Sequence, residues 1–163
     1  MWFLSLLFLV IAAVTVFGLV GYGCSVLARR GVRRIEPPVL LRTLAALSGA
    51  VAVAVYTWGL LHVAGSLTVA DDGGTDSAPV QPCRTAGWLE RRERGIEISG
   101  YSVSFVPVRF VCETSDGGSY DLVPGYVNPA ALGFALAGAG CALSAGYVTE
   151  LRARSEARAR QAA

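Results

Sequence analysis

The 163 residues are 53% apolar and only 16% charged, and a mean hydropathy of +0.51 is too high for an ordinary water-soluble domain. A net charge of +2 excludes a typical nucleic-acid binder, and one histidine, one methionine and four scattered cysteines leave little material for a metal site. Neither a cofactor nor a catalytic residue is expected.

The chain opens on an uncharged run from Trp2 to Leu27. As a helix it would extend about 39 Å, more than a hydrocarbon core of about 30 Å. A second uncharged run covers Thr43 to Ala70, interrupted only by His62, and a third covers Val127 to Thr149. Lipid offers backbone groups no hydrogen-bond partner, so each run is expected to be an α-helix. The first segment is therefore read as span one (residues 1–28), followed by an arginine-rich connector (29–42), span two (43–70), a long polar segment (71–127), span three (128–149) and an arginine-rich tail (150–163).

Orientation follows from the arginines, because short loops rich in them stay cytoplasmic. The connector holds Arg29, Arg30, Arg33, Arg34 and Arg42 against Glu36, and the tail holds Arg152, Arg154, Arg158 and Arg160 against Glu150 and Glu156. The polar segment instead carries five arginines and nine acids. The expected topology places the N-terminus outside a cytoplasmic membrane and the C-terminus inside. Cleavage of the first span as a secretory signal is disfavoured by the missing basic n-region and by the arginines that follow directly. The run Gly21-Tyr22-Gly23-Cys24 lacks the aliphatic residue of a lipoprotein cleavage site.

Within the polar segment, residues 71–82 are glycine-rich and polar and read as a flexible linker, whereas residues 83–123 read as a folded β module. Thr85 to Arg94 is expected to be a short helix capped by Gly95, with Glu90 meeting Arg94 one turn on. Tyr101, Val103 and Phe105 then alternate with serines, as in a strand with one buried face. After Pro107 the apolar row moves to Val108, Phe110 and Cys112, a change of parity that a bulge or corner near Pro107 would produce. Ser115-Asp116-Gly117-Gly118 marks a tight turn into a return strand at Tyr120 and Leu122. Asn128 is expected to cap the third span, with Pro129 in its first turn.

The expected fold class is thus a membrane α-helical protein with three transmembrane helices and a small extracytoplasmic antiparallel β (α+β) module. So small a module is marginal on core burial alone, and a Cys83–Cys112 disulfide is expected to staple it. On the chain-entropy treatment, closing that loop contributes about 3.6 kcal/mol. A redox role for the pair is disfavoured, since neither a Cys-x-x-Cys spacing nor exposure supports it.

Other candidates have plain structural readings. His62 should sit near the outer interface beside Trp58 and Tyr56, as a belt residue more readily than a proton relay. Cys24 and Cys141 fall at different depths and read as packing residues. Small residues recur at Ala46, Ala50 and Ala54, and at Gly133, Ala137, Cys141 and Ala145, rows that let helices approach within one chain or between copies. Arg29, Arg30, Arg33 and Arg34 could contact anionic lipid headgroups, and the tail should continue the third helix through Arg152–Glu156 and Glu156–Arg160 pairs. The outer acids match no calcium loop, and no Ser-His-Asp set or phosphate-cradling loop is present in the sequence. The lysine-free, arginine- and alanine-rich composition resembles that of small membrane proteins from high-GC actinobacteria, a style that carries no activity.

The functional expectation is a non-enzymatic accessory or interaction subunit. Its partners would be membrane lipid and either another membrane or cell-surface protein or a second copy of itself, with Trp88, Arg91, Arg92 and Arg109 as the candidate recognition surface. A small oligomeric transporter or channel component and a membrane thiol-disulfide protein are the alternatives.

Overall fold

The computed structural model describes residues 2–30, 36–72, 81–85 and 87–162. Its elements in order are α1 (Trp2–Arg30), α2 (Pro37–Asp72), a 3-10 turn (Gln81–Cys83), α3 (Trp88–Glu93), β1 (Ile98–Phe105), β2 (Val108–Thr114), β3 (Ser119–Asp121) and α4 (Val127–Ala162). Three helices are long and apolar enough to cross a membrane, over Leu6–Arg29, Pro37–Ala70 and Val127–Gln161. Contacts divide the chain into two units, Met1–Ala54 with Ala130–Ala163, and Val55–Pro129.

The first unit is a helical bundle packed through small residues. Ala12, Ala46, Ala50 and Ala145 are buried, and Leu19 lies 3.6 Å from where a side chain on Gly49 would begin. The closest approach to another helix's backbone is at Gly138, where an added Cβ would stand 3.3 Å from the Ala45 carbonyl and 3.4 Å from the Gly49 amide. Both neighbours are backbone, so a larger residue there must part the helices. Of the expected α4 row, Ala145 is buried and Cys141 half-buried, but Gly133 and Ala137 are exposed and Gly138 makes the contact instead. The real stripe steps by 3.6 residues per turn, which a strict four-residue count loses after two turns.

At one end of this unit, Arg152 donates to Glu36 at 2.8 Å and Arg42 donates to the Thr149 hydroxyl at 3.3 Å. This corrects the expected Arg152–Glu156 pair: Arg152 reaches across to the start of α2, and the pair formed along the tail is Arg154 with Glu150 at 2.9 Å. The tail continues α4 as expected. Away from the contacts the helices stay apolar, with Phe3, Phe17, Leu136 and Leu143 all exposed. A continuous apolar exterior of this kind belongs against lipid or another protein.

The second unit is a three-stranded antiparallel sheet, order β1-β2-β3, laid over the C-terminal half of α2. Val63, Cys83, Val108, Phe110, Cys112, Val123 and Val127 form its buried core, with Val55, Tyr56, Leu60 and Leu67 of α2 packed against it. These α2 residues recur at helical spacing and so present one face to the sheet. Gly59 makes the fit: a Cβ there would come within 2.6 Å of Val127 Cγ1 and 3.4 Å of Val108 Cγ1. The sheet's core face is the apolar row read from the sequence, because Val103 pairs with Phe110 and Tyr101 with Cys112. Burial on β1 is uneven, however: Val103 is half-buried, while Tyr101 and Phe105 are exposed at the sheet edge.

Three expectations are corrected here. The parity change at Pro107 is no bulge. Phe105 pairs with Val108 across a two-residue turn formed by Val106 and Pro107, whose peptide bond is cis, and such a turn alone carries the row from odd to even positions. The register irregularity lies instead between Ile98 and Gly100. The short helix runs from Trp88 to Glu93, not from Thr85, because Gly87 enters it at φ 86° and leaves Thr85 outside. Its end is as expected: Gly95 and Ile96 donate back to the Arg92 and Arg91 carbonyls, and Glu90 meets Arg94 at 3.7 Å.

Asn128 is the third correction. α4 begins one residue earlier, at Val127, and the Asn128 side chain turns to the sheet rather than capping the helix. Its amide oxygen accepts from the Val108 N–H at 2.9 Å and its amide nitrogen donates to the Val108 carbonyl at 2.9 Å. The expected linker is helical at Asp71 and Asp72 and turns into a 3-10 coil at Gln81; residues 73–80 lie outside the described residues.

Candidate functional site

The sheet unit is where polar side chains gather around an ordered frame. Cys83 of the 3-10 turn is bonded to Cys112 in mid-β2, both fully buried, so the disulfide ties the incoming chain to the core. The Tyr120 hydroxyl donates to the Cys83 carbonyl and reinforces the same joint from β3. Asp121 closes the other side of β3. Its Oδ1 accepts from the Phe110 amide at 3.2 Å and the Val123 amide at 2.9 Å, and Oδ2 stands 3.9 Å from Arg109.

The four candidate recognition residues fall on two faces. Trp88, Arg91 and Arg92 share α3, which is held over the core face of the sheet: the Arg91 guanidinium lies 4.6 Å above the Tyr120 ring and donates to the Thr85 hydroxyl at 3.2 Å. Tyr120 pairs with Cys112, a core residue, and this assigns α3 to that face. Arg109 pairs with Ser104 and so belongs to the opposite face, together with Ser102, Glu113 and Ser119. Arg91 is half-buried and engaged, whereas Arg92 is exposed and Trp88 half-buried.

Comparison with protein-family models, with curated proteins and with solved structures finds no match to this chain. Its chemistry must be read from its own side chains.

His62 sits edge-on to Trp58, ring centroids 5.0 Å apart, on the exposed flank of α2. Leu61, His62, Gly65, Ser66, Val69 and Pro82 line an open depression of about 340 Å³ beside it. Apart from His62 and Ser66 its lining is apolar, so it offers no convergent set of polar groups to orient a substrate. Tyr56 does not join this pair; its hydroxyl donates to the Phe105 carbonyl at 2.9 Å. Among the described residues, no three His, Cys, Asp or Glu side chains come together as a metal would need.

Cys24 is an exposed free thiol and Cys141 a half-buried one. Arg29 is exposed near the end of α1, which closes at Arg30, while Arg33 and Arg34 lie outside the described residues. Asp116 lies in the tight turn after β2. The Thr114 hydroxyl, at 2.5 Å, and the Gly118 amide, at 3.0 Å, donate to its carboxylate and hold its pKa below 3.8.

Sequence reading missed the roles of Asn128, Asp121, Tyr56 and Tyr120, each of which ties two elements through a backbone group. Only Asn128 left a trace, as a polar side chain at a helix entrance. The other three pair with positions distant in sequence and carry no local signal.

Proposed function

We propose that this chain is a three-span protein of the cytoplasmic membrane, N-terminus outside and C-terminus inside, that holds its sheet unit on the outer face as a non-enzymatic interaction module. The observation that carries the reading is the disulfide-clamped sheet built directly on α2, one of three helices of membrane-spanning length and apolarity. An oxidising compartment suits the buried cystine, and the arginine-poor side of the charge balance suits an outer loop. Burial of both sulfurs favours a structural bond over thiol exchange.

The interaction reading rests on rigidity. A module that only connected two spans would not need a staple, a Tyr-to-carbonyl tie and an Asp-centred corner to fix its shape. Two polar faces are then available to a protein partner, Trp88 with Arg92 on one and Arg109 with its serine neighbours on the other. Photo-crosslinking residues placed at Arg92 and Arg109 in intact cells test this. The expected outcome is a discrete adduct from at least one position. Recovery of the uncrosslinked monomer from both positions would contradict the proposal.

A further inference from the structure

Resting on the three-span reading, we propose that the β1–β2 turn is a second membrane contact: Phe105, Val106 and Pro107 enter the outer headgroup and acyl boundary. Among the described residues of the sheet unit, the turn holds the most exposed large apolar side chain, Val106 at 84%, next to Phe105 at 57%. The run from Ser102 to Val108 holds no charged residue. Pro107 has no N–H, so Val106 offers the only amide between the two strands.

The helices set the depth of this turn. Counting from Thr43, the first residue beyond Arg42, a hydrocarbon core of about 30 Å takes up roughly twenty residues of α2 and ends near His62. The turn is held to α2 below that level, since the Tyr56 hydroxyl binds the Phe105 carbonyl and Val108 packs at Gly59. Counting back from Thr149, the last residue before Glu150, about twenty residues of α4 end near Ala130, and Asn128 grips Val108 just beyond. Both counts bring Val108 to the outer edge of the apolar layer. Trp58 and Tyr126, 50% and 59% exposed in the same unit, are amphipathic rings of the type that populates this zone.

A boundary position also suits the backbone. The open carbonyls of a turn need water or headgroups, which excludes the centre of the bilayer, while the side chains favour acyl chains. Lipid is the occupant that this depth supplies without any further partner.

The test uses the full-length protein with Cys24→Ala and Cys141→Ala, reconstituted in phosphatidylcholine vesicles, with an environment-sensitive fluorophore on a single added cysteine. Val106→Cys reports the turn, Ser119→Cys the far end of the sheet and Leu136→Cys an exposed position of α4. Retention of the Cys83–Cys112 bond shows that each variant has folded, and Phe105→Cys repeats the reading at the neighbouring residue. The expected result is blue-shifted emission at 106, quenched by doxyl-labelled lipid and protected from iodide, as at 136, with the opposite at 119. Iodide quenching at 106 equal to that at 119, with 136 still lipid-quenched, would overturn the insertion alone. Protection of 106 from both quenchers would mean a protein contact and would overturn it too. Iodide access at 136 would overturn the three-span reading and the insertion with it.

Discussion

Asn128 shows how much one side chain decides in this protein. Val108 is fully buried, and the Asn128 amide is the group that satisfies both its N–H and its carbonyl. Removing it strands two buried backbone groups, at roughly 1–3 kcal/mol each before water enters. Asn128→Ala is expected to lower the stability of the sheet unit by about 2–3 kcal/mol, read as a shifted thermal transition in detergent. Asn128→Asp keeps the acceptor but sets a carboxylate against the Val108 carbonyl, and it should not rescue. Asp116 works on the tight turn in the same manner. Its pKa is held below the ordinary 3.8 by the Thr114 hydroxyl and the Gly118 amide, so its contribution is complete above that value and is lost as pH falls through the depressed one. Asp116→Asn is therefore expected to protect the Gly118 amide from hydrogen exchange less well than the parent near neutrality, with the two converging as pH falls through the depressed pKa.

At the scale of elements, what could be read from the sequence had a local cause. Uncharged runs gave the three long helices, and Asp116-Gly117-Gly118 gave the β2–β3 turn, with Gly117 at φ 82°. Period-two rows gave β1 and β2, and the Cys83–Cys112 bond followed from a module too small to hold itself together. Elements set by distant partners were misplaced. Thr85 looked helical but stays outside α3, where its hydroxyl accepts from Arg91, and Arg152 found Glu36 across the bundle in preference to Glu156 on its own tail. Residues 55–67 of α2 read simply as membrane span, because an apolar face against a sheet and one against lipid have the same composition. Of the candidate recognition residues, the local helix holding Trp88, Arg91 and Arg92 was legible, but the face of Arg109 depends on register and was not. The disulfide offers the cleanest check at this scale. Cys83→Ser with Cys112→Ser is expected to cost about 2–4 kcal/mol of sheet stability, seen as early protease cleavage between α2 and α4. The long helices should keep their helicity by circular dichroism, since their packing is through Gly138, Ala46 and Ala50.

For the whole molecule, charge and hydropathy act together. Arginines cluster at the α1–α2 connector and after α4, and acids outnumber arginines nine to five between α2 and α4. The proposed topology follows the positive-inside rule, with both arginine clusters on one side of a membrane and the sheet on the other. Impermeant maleimide labelling of intact cells, with Cys24→Ala and Cys141→Ala, compares Ser119→Cys on β3 with Arg158→Cys on the tail. Ser119→Cys is expected to label in intact cells and Arg158→Cys only after permeabilisation. Labelling of Arg158→Cys but not Ser119→Cys in intact cells would contradict the proposed topology.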